Sequence, residues 1–176
     1  MTHDREIFSI RHALPADVPR LRAIEDEAGA LFSGSGLIDE ALDVSFPLGE
    51  LTALVALGSV WVACTANDLP VGLAIASLKD GAVYLEEMDV LPMFGRRGLG
   101  TRLLEHVCSW ARQQGHPAVT LSTFLDVPWN GPFYRKHGFR ELAPQEWSPS
   151  MHLIRQKETG HGLRVEARVF MRRDFA

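Results

Sequence analysis

The stretch 91–104, LPMFGRRGLGTRLL, places three glycines and two arginines where a strand pattern gives way to a helix pattern. The strand pattern is AVYLEEMDV, and the helix pattern TRLLEHVCSWARQQG repeats apolar residues at helical spacing. The first four amides of a helix have no acceptor within the helix, and the helix dipole makes that end partly positive. Glycines leave such amides open to a ligand, and the arginines add positive charge. The junction therefore predicts a binding site for an anion such as a diphosphate.

Two common phosphate-binding motifs do not fit this junction. A P-loop has a lysine before its Ser or Thr, whereas Gly100 is followed directly by Thr101 and Arg102. The dinucleotide fingerprint opens a βαβ unit with the reverse glycine spacing. The order here is GxxGxG, and the strands before it read as an antiparallel meander. The junction is therefore expected to serve a different anionic ligand.

The rest of the chain alternates between strand and helix patterns. Apolar runs at 59–66, 69–79 and 82–90 are separated by turn residues and predict an antiparallel meander. Further strands are predicted at 7–13, 117–124, 139–142 and 163–173, and helices at 15–32, 47–57, 101–115, 130–138 and 148–160. No repeat, low-complexity tract or linker interrupts the pattern. We therefore predict a single α/β domain over residues 1–176.

Charge and composition exclude several classes of function. The formal net charge of −4 argues against nucleic acid as a partner, because duplex binding depends on a concentrated basic surface. No apolar run approaches the roughly 20 residues of a membrane span, and the N-terminal MTHDREIFSI does not read as a signal peptide. These patterns predict a cytoplasmic protein with no membrane partner. Cys64 and Cys108 read as buried thiols, and the scattered histidines predict no metal site.

Two segments in order, EEMDVLPMFGRRGLGTRLLEHVCSWARQQG and WNGPFYRKHGF, resemble the GNAT superfamily of acetyl-CoA-dependent N-acetyltransferases. The resemblance implies a central mixed, mostly antiparallel sheet of about six to seven strands flanked by helices. It also implies a splayed strand pair that holds the coenzyme. Acetyl-CoA is then the expected co-substrate, and its pyrophosphate the expected ligand of the glycine-rich junction.

The resemblance assigns the coenzyme site residue by residue. The strand end would pair with the pantetheine amides, and the glycine-rich loop would cradle the pyrophosphate. The implied coenzyme-binding residues are Asp89, Val90, Leu91, Gly95, Arg96, Arg97, Gly98, Leu99, Gly100, Thr101 and Asn130. Gly95 stands where the family usually has Arg or Gln. Asn130 has two readings, a pantetheine contact and the N-cap of the following helix.

Acetyl transfer from a thioester to an amine needs a proton acceptor for the amine and a proton donor for the departing thiolate. Tyr134 matches the tyrosine that the family places beside the coenzyme sulfur; the alternative is an aromatic residue packed under the sheet. Glu86 matches a glutamate proposed as base in some relatives, and Glu87 is its fallback. Since alternation puts these two on opposite faces of a strand, at most one faces the cleft. A solvated or ion-paired carboxylate is the alternative for both.

The acceptor side draws on the first helices and on the segment after the strand at 117–124. The candidates there are Glu25, Asp26, Glu27, Phe32, Phe124, Asp126, Trp129 and Trp147; Glu25 and Asp126 are also weaker candidates for the base. Aromatic and acidic side chains suit an organic amine, although core packing and a solvated helix face explain them equally well. We predict direct transfer to a small-molecule amine or peptide in a ternary complex. A non-catalytic acyl-CoA-binding or regulatory module is the alternative, and a homodimer stays open.

Overall fold

The computed structural model describes residues 7–39, 41–42 and 45–175. Its helices are α1 (Val18–Gly29), α2 (Leu48–Ala56), α3 (Leu99–Gln113), α4 (Gly131–Lys136) and α5 (Pro149–Gly160). Its strands are β1 (Ser9–His12), β2 (Val60–Cys64), β3 (Pro70–Lys79), β4 (Ala82–Val90), β5 (Ala118–Phe124), β6 (Arg140–Glu141) and β7 (Arg168–Asp174). Residues 1–6, which carry part of the signal-peptide prediction, lie outside the described residues.

The strands form a seven-stranded mixed sheet in the order β1-β2-β3-β4-β5-β7-β6. Antiparallel ladders join β1 to β2, β2 to β3, β5 to β7 and β6 to β7, and a parallel ladder joins β4 to β5. The predicted fold class, a mixed and mostly antiparallel sheet flanked by helices, is therefore confirmed. The parallel ladder pairs Val83–Leu85 with Val119–Leu121 and is shorter than either strand.

The chain divides into two compact units. The first holds the described residues of Met1–Leu31, Ser45–Ile75 and Glu87–Val107; the second holds those of Phe32–Val44, Ala76–Glu86 and Cys108–Ala176. The organisation of residues 1–176 as a single domain stays a prediction.

The core of the first unit follows the apolar periodicity of its sequence. The buried stripe of α1 consists of Val18, Leu21, Ile24, Glu25 and Ala28, at the spacing of one helix face. Strand β2 is buried along its whole length, as expected for an interior strand. A carboxylate thus occupies a position of α1 that the helical pattern reserves for an apolar side chain.

The core of the second unit joins its strands to α5. Tyr84, Leu142, Met151 and Phe170 form a buried cluster against which Trp147 packs. The rings of Trp147 and Phe170 meet edge to face, with centroids 4.9 Å apart. Trp147 is therefore part of this core, which favours the packing reading of this acceptor candidate.

The strand predicted at 163–173 is wrong in its first half. Val165–Ala167 forms a 3₁₀ turn, and β7 begins at Arg168. The apolar–polar alternation of this segment is strand-like, but its backbone pairs elsewhere, because the Arg164 amide donates to the Leu37 carbonyl at 2.9 Å. Tertiary hydrogen bonds thus override the local pattern.

Three further observations concern the described part of the chain. None of its helices is both long enough and apolar enough to cross a membrane. Its His, Cys, Asp and Glu side chains form no group of three or more that could hold a metal ion. Both Cys64 and Cys108 are buried, and neither forms a disulfide with a described residue.

Candidate active site

The glycine-rich loop begins with a 3₁₀ turn at Pro92–Phe94 and ends at α3. The Gly95 amide donates to the Pro92 carbonyl at 3.0 Å. A Cβ added at Gly95 would lie 3.0 Å from that same carbonyl oxygen, closer than ordinary van der Waals contact. This crowding gives a physical reason for glycine where the related family usually has Arg or Gln.

Gly98 sets the entry into α3. Its φ of +79° lies in the left-handed region that favours glycine, and open space surrounds the position where a Cβ would stand. The Gly98 carbonyl accepts the Arg102 amide at 3.0 Å, so helical hydrogen bonding begins there. The Arg102 guanidinium donates to the Phe8 carbonyl at 2.8 Å and anchors this first turn. The loop thus combines an exposed backbone with the partly positive end of a helix.

The two arginines of the loop are exposed. Arg96 has a φ of +61°, which is uncommon for a residue other than glycine. The Arg97 guanidinium lies 5.1 Å from the Phe94 ring centroid and donates to the Met93 carbonyl at 3.4 Å. Both side chains bring positive charge to a loop whose backbone can hold an anion. The loop therefore offers positive charge and an exposed backbone, two features that suit an anionic ligand.

The end of β4 is only partly available for pairing with a ligand. The Leu91 amide donates to the Val71 carbonyl at 2.9 Å and therefore faces β3. Since successive residues of a strand direct their peptide groups to opposite edges, Asp89 also faces β3 and Val90 faces the other edge. The close approach of the Asp89 carbonyl oxygen, 2.9 Å from a Cβ built at Gly72, agrees with this. Of the three predicted pantetheine partners, Val90 has the suitable backbone orientation.

Glu86 is held in an ion pair. Its carboxylate lies 2.5 Å from the Lys79 ammonium and accepts a hydrogen bond from the Ser77 hydroxyl at 2.5 Å. The carboxylate is therefore already engaged by a positive charge and a hydroxyl within the protein. The geometry favours the ion-paired alternative for Glu86.

The first unit contains a group of three acids, Glu25, Glu87 and Asp89. Glu87 and Asp89 are two residues apart on β4 and share one face of the strand. Burial, the negative charge of Glu87 and that of Glu25 raise the pKa of Asp89 well above its usual range. The group therefore brings like charges together, one from a helix and two from a strand.

Glu25 is the most buried member of this group, with 6% of the residue exposed. Its Oε1 accepts a long hydrogen bond from the Phe46 amide at 3.4 Å, and its Oε2 has no hydrogen-bond partner among the described residues. Burial first and then the charge of Glu87 raise its pKa to about 7, whereas the Phe46 amide and Arg22 act in the opposite direction. A carboxylate with this pKa can take up and release a proton near neutral pH.

Sequence reasoning ranked Glu25 below Glu86 and Glu87, and it assigned only backbone contacts to Asp89. One signal was present in the sequence, since Glu25 lies at the spacing of the apolar residues Leu21, Ile24 and Ala28. An acid on the buried face of a helix needs a compensating environment or a raised pKa. Applied to the sequence, that rule would have placed Glu25 above Glu86 and Glu87 among the candidates for the base.

Tyr134 lies on α4 in the second unit and is 8% exposed. Its ring meets those of Phe133 and Phe139 edge to face, at centroid distances of 5.2 and 5.7 Å. Its amide donates to the Asn130 carbonyl at 3.0 Å. Packed aromatic neighbours thus fix the direction of the Tyr134 side chain.

Asn130 occupies the N-cap position of α4, but its side chain makes no capping hydrogen bond. A Cβ added at the next residue, Gly131, would collide with the backbone of Leu125. This close approach fixes the entry into α4 and leaves the Asn130 amide group without a capping role. The side chain of Asn130 therefore does not cap α4, and its contact with the coenzyme stays a prediction.

The remaining acceptor candidates differ in their surroundings. Phe32 packs against Phe124 and Trp129 at centroid distances of 5.4 and 6.0 Å, and Trp129 is half exposed. Asp26 is engaged by Arg22 at 3.0 Å. Glu27 and Asp126 are exposed. The three rings form a partly exposed aromatic cluster in the second unit.

Comparison with known proteins places the chain in a family. The model of the Acetyltransferase (GNAT) family matches residues 34–139, more than half of the sequence. The match includes the glycine-rich loop and Tyr134. The resemblance stated from the sequence is therefore confirmed.

Solved structures with the same fold include several N-acetyltransferases. The PaiA N-acetyltransferase of Thermoplasma acidophilum, in complex with coenzyme A, has a TM-score of 0.75 at 13% identity, over 96% of this chain and 99% of that one. N-acetylglutamate synthase of Neisseria gonorrhoeae, complexed with coenzyme A and N-acetyl-glutamate, has a TM-score of 0.72 at 17% identity, over 97% of this chain and 35% of that one. Ard1 of Thermoplasma volcanium has a TM-score of 0.67 at 20% identity, over 96% and 98%. Sheet, loop and family match lead to one conclusion: the chain belongs to the acetyltransferase (GNAT) family.

Proposed function

We propose that the protein transfers an acetyl group from acetyl-CoA directly to the amino group of a small molecule. The observation that carries the proposal is the buried Glu25, whose pKa of about 7 suits a general base, in the same unit as the glycine-rich loop. Two of the solved structures with the same fold contain coenzyme A, which supports this donor. A cytoplasmic location and a homodimer stay predictions.

The donor side of the proposal rests on the loop. The coenzyme pyrophosphate would meet the exposed backbone at Gly98 and the first turn of α3, with Arg96 and Arg97 supplying positive charge. Val90 would offer its peptide group to the pantetheine arm, as an added strand would. These contacts would hold the thioester in place for attack.

The proposed transfer needs one proton acceptor and one proton donor. The neutral amine nitrogen attacks the thioester carbonyl, a C–N bond forms, and the C–S bond breaks. Glu25, beside Glu87, takes the proton that the nitrogen loses. A proton donor protonates the departing thiolate, and the family resemblance assigns this role to the Tyr134 hydroxyl. Exchange with water restores both groups, so the step balances without a further reagent.

The surroundings of the two cysteines favour direct transfer over a covalent acetyl-enzyme intermediate. Burial raises the pKa of the Cys64 thiol to about 11, which leaves little thiolate at neutral pH. Cys108 is buried on α3 and lies on the core face of that helix. A nucleophilic cysteine would need to be both exposed and ionised.

Thiol release from acetyl-CoA, measured against a panel of amines, amino acids and peptides, tests the proposed function. We expect release that depends on an amine acceptor. Tight coenzyme binding with no release for any acceptor would contradict it and favour an acyl-CoA-binding regulatory module.

A further inference from the structure

Phe8, which directly precedes β1, contacts the glycine-rich loop at both of its ends. Its ring meets the Phe94 ring edge to face, with centroids 6.1 Å apart, at the 3₁₀ turn where the loop begins. Its carbonyl oxygen accepts a hydrogen bond from the Arg102 guanidinium at 2.8 Å, in the first turn of α3, where the loop ends. One residue that is distant in sequence thus touches both flanks of the loop.

The contact at the start of the loop is a small stack of side chains. Phe8 is buried and Phe94 is half-buried. The Arg97 guanidinium lies 5.1 Å from the Phe94 ring centroid. Because edge-to-face ring pairs have a preferred geometry, the buried Phe8 ring fixes where Phe94 lies. Phe94 in turn offers its ring to an exposed arginine of the loop.

The contact at the end of the loop fixes the first turn of α3. The Arg102 amide donates to the Gly98 carbonyl at 3.0 Å, while its guanidinium donates to the Phe8 carbonyl. A hydrogen bond from a charged donor is stronger than one from a neutral donor. The direction in which α3 presents its first amides is therefore set in part by the segment before β1.

The backbone between these two contacts needs such support. Residues 95–98 are exposed, and Arg96 and Gly98 have φ angles of +61° and +79°. A positive φ is uncommon for arginine and costs free energy, so it persists where the surrounding structure holds it. A loop that is held at both ends has fewer conformations, and a ligand that binds it has less order to impose.

We infer that Phe8 positions the glycine-rich loop for the coenzyme by holding both of its ends, through the Phe94 ring and the Arg102 guanidinium. The inference rests on the proposed function, because it takes this loop as the pyrophosphate site. Phe8 and Phe94 act through the loop and not on the reacting atoms. Loss of their contact should therefore weaken coenzyme binding and leave the chemical step unchanged.

The variants Phe8→Leu and Phe94→Leu test the inference, because each removes the ring contact and changes no charge. We expect the Kd of coenzyme A, measured by calorimetry, to rise roughly three- to tenfold, as loss of an edge-to-face pair implies. KM for acetyl-CoA should rise by a similar factor, with kcat close to the wild-type value. Phe94 is the less buried of the two, so Phe94→Leu carries the test if Phe8→Leu fails to fold.

Phe175→Leu is the matched control. The Arg112 guanidinium lies 5.0 Å from the Phe175 ring centroid, so this variant removes an arginine–aromatic contact from the last turn of α3. We expect it to keep the wild-type Kd and KM. An equal rise in the control would attribute the effect to a general loosening of α3 and would overturn the inference.

Hydrogen exchange without coenzyme measures the order of the loop directly. The Gly95 amide, hydrogen-bonded to the Pro92 carbonyl, should exchange faster in each folded phenylalanine variant than in the wild type. The amides of β2, an interior strand of the same unit, should keep their exchange rates. Unchanged exchange at Gly95 would show that the Phe8 contact does not order the loop, contrary to the inference.

The outcomes separate this inference from the proposed function. If the wild type binds no coenzyme A, the donor side of the proposed function fails. If the wild type binds coenzyme A and releases thiol, but the phenylalanine variants keep the wild-type Kd and KM, the proposed function stands and the inference is wrong. A fall in kcat with an unchanged KM would also contradict it, since the effect would then lie in the chemical step.

Discussion

Glu25 on α1 and Glu87 on β4 form a pair in which burial and the charge of Glu87 together raise the pKa of Glu25 to about 7. One acid comes from the buried stripe of a helix and the other from a strand that leads into the glycine-rich loop. Burial and the nearby negative charge both disfavour the ionised form of Glu25, so this carboxyl takes up and releases a proton at a pH of about 7. This property has consequences for rate and for stability.

The rate should depend on Glu25. Because the base must be ionised to accept a proton, kcat/KM should rise with pH through about 7. Glu25→Gln should lower kcat by roughly 10²–10⁴-fold and remove this step from the pH profile, leaving the ionisation of the amine. Steady-state kinetics from pH 5.5 to about 9 measures both. A comparable loss in Glu86→Gln, with Glu25→Gln near wild type, would assign the base to Glu86.

Glu25 should also make the stability of the fold depend on pH. The rate should rise with pH, whereas the stability should fall. The folded-state pKa of Glu25 lies above its ordinary value of 4.5, so between these values the folded state binds more protons. Stability therefore falls as pH rises from 4.5 to about 7. Glu25→Gln should abolish this contribution, which is on the order of 3 kcal/mol. Urea unfolding of both proteins at the two ends of this range checks it; a pH-independent difference would contradict it.

The loop prediction concerns Gly98. An aspartate there places a side chain and a negative charge where the pyrophosphate would lie, so coenzyme affinity should fall more than tenfold, above about 1.4 kcal/mol. The left-handed backbone adds strain, and Gly115→Asp is the matched control, because its φ of +78° and open surroundings equal those of Gly98. Calorimetric binding of coenzyme A to both variants gives the comparison. Equal affinities would remove the loop from the coenzyme site.

Tyr134→Phe keeps the packed ring and removes one proton donor. If the hydroxyl protonates the thiolate, kcat should fall by roughly 10²–10⁴-fold, with KM for acetyl-CoA and the melting temperature little changed. Tyr84→Phe, a buried sheet residue of the same unit, is the control and should keep kcat. Wild-type turnover with a lowered melting temperature in Tyr134→Phe would indicate that Tyr134 is a packing residue without a catalytic role.

The buried cysteines should be dispensable for chemistry. Cys64→Ala and Cys108→Ala should keep kcat per folded molecule, since direct transfer uses no thiol of the protein. Each variant leaves a small cavity, so some loss of melting temperature is expected. Loss of turnover in a folded variant would indicate a covalent acetyl-enzyme instead.

Local patterns carried most of the prediction of the fold. The strand, glycine-rich loop and helix around Gly98 were predicted because turn chemistry and periodicity are encoded within a few residues. The family resemblance is confirmed, and so is the mixed sheet that the resemblance implied. The start of β7 was misplaced because the amide of Arg164 pairs with Leu37, a distant segment that periodicity does not reveal.

The acid group was harder to predict because it is a tertiary feature. The sequence shows Glu87 and Asp89 on one strand face, but only the packing of α1 brings Glu25 to them. The sequence also does not show which edge of β4 each peptide group faces. The hydrogen bond from the Leu91 amide to the Val71 carbonyl decides this for Asp89 and Val90. The roles of Tyr134 and Asn130 stay predictions.

The crowding at Gly95 also constrains how this loop can change over time. The Pro92 carbonyl fills the space that a side chain at position 95 would need. An arginine or glutamine at this position would therefore require the preceding turn to shift by a few tenths of an ångström. A single substitution would meet steric resistance before it gained any contact with a ligand. Because position 95 carries no side chain, any contact that this residue makes with a ligand comes from its main chain.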